Sequence, residues 1–170
     1  MVLYKTSLDS NRLPVLEKVK EVTCKDTVDN AGDLANILYQ LRHDKETEEV
    51  TYMFCLNPSM KIIGCFKVSV GSMTGSLINP EIIFKKALLC GAYGIVIAHN
   101  HPTGEIKPSK EDCTIFNRIR ECGRLMNISL FDFLVIGEGY LSFAEAGYYE
   151  VTDNAKSKTR KGKGERYEDI

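Results

Sequence analysis

Residues 94–112 read Gly94-Ile95-Val96-Ile97-Ala98-His99-Asn100-His101-Pro102, then Thr103 to Lys107, then Pro108-Ser109-Lys110-Glu111-Asp112. The apolar, β-branched run 94–98 ends directly at His99 and reads as a buried strand. Side chains two residues apart on a strand share a face. His99 and His101 therefore point one way and Asn100 the other. Pro102 and Gly104 break the strand. Ser109 is a good helix N-cap, which puts Asp112 in the first helical turn, able to swing back toward the strand end. Taken alone, Ser109 and Asp112 would be a capping box, and the two histidines would be ordinary surface residues. Their coincidence around one Pro/Gly loop points to more. Two imidazoles and a carboxylate can hold one zinc ion and leave its fourth position open for water. Such a site suits hydrolysis. The same donors tolerate Fe²⁺, Mn²⁺ or Co²⁺.

The elements around this stretch form a coherent order. Residues 2–28 contain short apolar or alternating runs that suggest two edge strands. Asp29-Asn30 can cap a helix over 32–42, with Leu34, Ile37, Leu38 and Leu41 on one face. His43 falls at its end, where a cation suits the helix dipole; nothing makes it a ligand. Strands over 50–56 and 62–70 are joined by the turn-forming Asn57-Pro58-Ser59-Met60. Asn79-Pro80 reads as N-cap and first position of a helix over 80–89. The Ser109-capped helix runs to about 126, and strands over 129–136 and 141–143 flank Glu138-Gly139. The pattern predicts a mixed α/β (α+β) domain, one mixed sheet flanked by helices.

The chain has 170 residues, 44% of them hydrophobic, which suits one domain with a real core plus a tail. No segment has the apolar length to span a bilayer, and Met1 to Asp9 lacks the layout of a signal peptide. The six cysteines are scattered, with no C-x-x-C spacing, and several lie in apolar runs. They are expected to be reduced thiols of a cytoplasmic protein. From Thr152 onward the chain is nearly all polar, with six Lys/Arg against four Asp/Glu. Residues 151–170 are thus expected to be a disordered basic tail. Such a tail suits nonspecific nucleic-acid contact, but the remainder of the chain has no basic excess to support it.

His99-x-His101-Pro102, Pro108-Ser109-x-x-Asp112 resembles the JAMM motif of JAB/MPN-type zinc metalloproteases, position for position. Ala98-His99-Asn100-His101-Pro102-Thr103-Gly104 is similar to the RadC branch of that superfamily. So are Val68-Ser69-x-Gly71, Pro80-x-x-x-Phe84-Lys85-x-Ala87, Leu134-Val135-Ile136-Gly137 and Tyr140 to Glu145. The resemblance covers about 29–148. It implies residues 1–28 as an extension and 29–150 as a JAB/MPN-like metalloprotease domain. The chain departs from the RadC pattern at Glu81-Ile82, where an Arg-Glu pair is usual, and at Asp132-Phe133, where Asp-His is common. A preceding helix-hairpin-helix region is expected to be absent, because the chain begins too close to the domain.

The resemblance implies Zn²⁺ held by His99, His101 and Asp112, and a general-base glutamate at the start of an early strand. Glu49 fits, with Glu48 as the alternative register. It also implies Ser109 as donor to the oxyanion of a tetrahedral intermediate, and a protein or peptide substrate cleaved at an amide or isopeptide bond. Superfamily substrates include ubiquitin-like tails and sulfur-carrier proteins. The rival reading is a catalytically inert interaction module linked to DNA repair or a mobile element. HNH nucleases spread their residues over a much longer ββα unit, so the letters His99-Asn100-His101 are accidental. A zinc nucleobase deaminase needs H-x-E and P-C-x-x-C, which do not occur.

Overall fold

The computed structural model describes residues 1–71 and 78–149; the expected tail lies outside the described residues. Seven strands form one mixed sheet in the order β2-β1-β4-β3-β5-β6-β7. They are β1 Val2–Leu8, β2 Pro14–Glu21, β3 Glu49–Leu56, β4 Ile62–Gly71, β5 Gly94–Asn100, β6 Ser129–Gly137 and β7 Gly139–Ser142. Three helices cover it: α1 Ala31–Gln40, α2 Pro80–Cys90 and α3 Lys110–Met126. This is the mixed α/β architecture expected from the sequence.

The central strands β3 and β5 are buried almost throughout. They read as continuous apolar runs because both sheet faces are covered. Alternation divides their side chains. Val50, Tyr52, Phe54, Val96 and Ala98 meet Leu34 and Leu38 of α1. Met53, Cys55, Ile95, Ile97 and Phe133 meet Phe84 of α2 and Phe116 and Ile119 of α3.

The helix boundaries follow local chemistry. Asn30, Asn79 and Ser109 are the N-caps, each accepting a backbone N–H of its first turn. Asn57 accepts from the amides of Ser59 and Lys61, both at 3.0 Å, and so closes the turn into β4.

Three expectations need correction. The helix read over 32–42 ends at Gln40; Arg42 turns left-handed (φ 59°) and His43–Lys45 form a 3₁₀ turn. His43 does not serve a helix dipole from solvent, because its side chain is fully buried. Finally, β2 is an edge strand but β1 is internal, antiparallel to β2 and parallel to β4.

Candidate metal centre

β5 runs antiparallel to β3 and parallel to β6, and its last paired residues are His99, opposite Thr51 and Val135, and Asn100, opposite Ile136. The chain leaves the sheet at His101, whose amide donates to the Ile136 carbonyl at 2.8 Å. The loop that follows is pinned to the end of β6. Glu138 N–H donates to the Gly104 carbonyl at 2.8 Å. A Cβ at Gly137 would lie 2.3 Å from that same Gly104 oxygen, so only glycine permits the approach. The return from this loop starts α3 at Ser109 and delivers Asp112 to the histidines.

Three ligand-bearing side chains converge. His99 Nε2 and His101 Nε2 are 3.1 Å apart. Asp112 spans them, with Oδ1 3.0 Å from His99 Nε2 and Oδ2 3.4 Å from His101 Nε2. The three residues form a group able to hold a metal ion. Bonds of about 2.0–2.2 Å from a tetrahedral zinc put any two ligand atoms about 3.3–3.6 Å apart. The separation of the two imidazole nitrogens and that of the nearer Asp112 oxygen from each ring fall within about 0.5 Å of that range, so the donor set fits such an ion once the carboxylate turns to present one oxygen to it.

The surroundings prepare the set. Ser109 and Asp112 form a capping box: the Ser109 amide and hydroxyl both donate to Asp112 Oδ2 at 2.7 Å, and Asp112 N–H donates back to Ser109 Oγ at 3.0 Å. Burial pushes the Asp112 carboxyl up, but the hydrogen bonds from His101 and His99 outweigh it and hold the group well below the usual carboxylate range. The hydrogen bond with Asp112 raises the His101 imidazole, against desolvation. His101 Nδ1 lies 2.9 Å from the Glu105 carbonyl. A carbonyl only accepts, so Nδ1 carries the proton and the lone pair of the neutral ring is at Nε2, facing the cluster.

Glu49 opens β3 and shares the helix-covered α2/α3 face with Thr51 by strand alternation. It lines a cavity of roughly 1130 Å³ together with His99, His101, Ser109 and Asp112. Glu48 does not line that cavity; its carbonyl accepts from Asn100 Nδ2 at 3.0 Å. Asn100 also accepts from the Val50 amide at 2.7 Å through Oδ1 and donates to the Glu46 carbonyl at 3.4 Å. The backbone ladder between β3 and β5 ends at the Thr51–His99 pair, and the Asn100 side chain extends it past the end. This clamp beside Glu49 was not assigned a role from sequence. Its only sequence signal was that Asn100 faces away from the histidines.

A family model for the RadC-like JAB domain matches residues 28–148. The chain belongs to this family. Similar relatives are UPF0758 proteins. The one from Clostridium tetani is 41% identical over 99 residues, 58% of this chain and 43% of the relative. That of Methanococcoides burtonii is 32% identical over 125 residues, 73% of this chain and 54% of the relative. That of Thermotoga maritima is 37% identical over 100 residues, 58% of this chain and 45% of the relative. The chain thus spans about half the length of the curated relatives it matches.

The departures of this RadC-like JAB domain now have locations. Glu81 and Ile82 are exposed in the first turn of α2. Phe133 is fully buried, its ring 5.3 Å from that of His99, and packs on Phe116 and Phe143. Phe133 thus puts an apolar wall directly against a candidate ligand. Asp132 is buried and accepts from Phe133 N–H (2.7 Å), Ser142 Oγ (2.5 Å) and Ala144 N–H (3.0 Å). It ties β6 to the chain after β7, and burial raises its carboxyl above the ordinary value. Among the described residues no helix is long and apolar enough to cross a membrane.

Proposed function

We propose that the protein is a zinc-dependent hydrolase of amide or isopeptide bonds in a protein or peptide substrate. The observation that carries this reading is the convergence of His99 Nε2, His101 Nε2 and the Asp112 carboxylate, with Oδ1 3.0 Å from His99 and Oδ2 3.4 Å from His101, beside a cavity that Glu49 also lines. Zinc bound there supplies a charge that lowers the pKa of water toward ~7 and polarises a carbonyl. His101 is oriented for this by the Glu105 carbonyl, and Asp112 by Ser109.

Glu49 acts as general base. It takes the proton of the attacking water and returns it to the leaving amine. Ser109 donates to the developing oxyanion. Its hydroxyl donates to Asp112 Oδ2 in the present arrangement and, since a hydroxyl rotates, can turn instead to an oxygen in the cavity that Ser109 lines. The cavity is also lined by the apolar Pro102, Ile78 and Ile115 and by the cationic Arg118, which an extended segment of substrate would meet.

The test is Glu49→Gln, screened against peptide and isopeptide substrates with zinc content measured in parallel. Hydrolysis should fall by at least about 10²-fold while zinc is retained. A wild type that takes up zinc and turns over no such substrate would favour the inert interaction module.

A further inference from the structure

Four buried side-chain atoms lack a hydrogen-bond partner among the described residues: both ring nitrogens of His43, Thr51 Oγ1 and His99 Nδ1. The last two belong to residues directly opposite each other on β3 and β5. Side chains so paired lie on one face with Cβ atoms about 4.5–5.5 Å apart. The two atoms are not paired with each other as they stand; we propose that Thr51 is a positioning residue of the metal centre, its hydroxyl turning to accept the Nδ1–H of His99 when Nε2 gives its lone pair to the ion, which holds that imidazole in place. The inference rests on the metal-centre reading above.

The register leaves His99 few choices. Its direct neighbour on β6 is Val135, and the ring of Phe133 lies 5.3 Å away; neither offers an acceptor. Along β3 the diagonal neighbours are Met53 and Glu49. Glu49 is only half-buried at the cavity, whereas Thr51 is fully buried. Metal-bound imidazoles nearly always donate their second ring N–H, which sets tautomer and orientation. His101 has such a partner in the Glu105 carbonyl. For His99 the only fully buried polar side chain in direct register is Thr51. A buried polar atom left unpaired costs about 1–3 kcal/mol, so pairing two orphans relieves both.

The test compares wild type with Thr51→Val, which keeps the shape and removes the hydroxyl, and Thr51→Ser, which restores it. Zinc affinity is measured by competition with a chromophoric chelator, and the His99 ring nitrogens are followed by long-range ¹H–¹⁵N correlation. Expected are zinc binding about tenfold weaker in Thr51→Val, near wild-type binding in Thr51→Ser, and a His99 Nδ1–H signal that is perturbed only by the valine variant. The thermal midpoint should fall in Thr51→Val and recover in Thr51→Ser, since the valine leaves the buried His99 Nδ1–H without its acceptor. Zinc binding and His99 shifts unchanged in Thr51→Val would overturn the proposal. If the wild type took up no zinc, the metal-centre reading would fail. That outcome is distinct from a wild type that binds zinc and a Thr51→Val that binds it equally well, which would overturn only the role of Thr51.

Discussion

Lowering the pH should destabilise the protein through His43. The ring is fully buried, packed edge-on against Tyr52 (centroids 5.0 Å apart, 87° between planes), and neither nitrogen has a partner. Burial first, then the charges of His99 and Lys67, push its pKa down from 6.5 to about 4, against an upward pull from Asp44. The unfolded chain therefore binds a proton at pH 5 that the folded chain refuses. The loss begins below pH 6.5 and is complete near pH 4. Linkage gives about 2 kcal/mol lost between pH 7.5 and pH 5 from this residue alone.

Two other groups act differently. His101 has a raised pKa, so its contribution is present below 6.5 and lost as pH rises. Asp112 has a lowered one, so its contribution is lost only below about the ordinary carboxylate range. Both cancel when wild type is compared with His43→Leu. The assay is urea denaturation of each at pH 7.5 and pH 5, with chelator present. The wild type should lose about 2 kcal/mol more than the variant over this interval. Equal losses would refute the reasoning and show that His43 finds a partner or water in solution.

Asn100→Ala should cost about 1–3 kcal/mol in urea denaturation, because the Val50 amide and the Glu48 carbonyl lose their buried partner. It should also lower turnover more than zinc content, since the segment it clamps carries Glu49. Gly137→Ala should cost about 1–3 kcal/mol by the same measurement, because its methyl group would meet the Gly104 backbone. Alkylation under native conditions should spare Cys55 and Cys65. Both are fully buried with thiol pKa values pushed up, Cys55 by its hydrogen bond with Cys90 and Cys65 by burial.

The sheet and its helices were legible because the strongest signals were local. The run 94–98 ending at His99, the caps Asn30, Asn79 and Ser109, and the turn at Asn57 each encode their element in a few residues. The convergence of His99, His101 and Asp112 was legible for the same reason: a two-residue strand spacing and a three-residue cap spacing bring them together. What stayed hidden depends on pairing between distant segments. Thr51 opposite His99, Asn100 reaching back to Val50, and Phe133 against His99 all follow from strand register across the sheet. The burial of His43 follows from a left-handed turn at Arg42 that the helical pattern concealed. The cavity separates Glu49 from Glu48 by the same register logic, since one residue of slip exchanges the two faces.

The most direct test is metal content by mass spectrometry on the purified protein and on His101→Ala after incubation with zinc and removal of excess. The account predicts about one zinc per wild-type chain and little in the variant, because one of three converging ligands is gone. A wild type that takes up no zinc, or a variant that holds as much as the wild type, would contradict it.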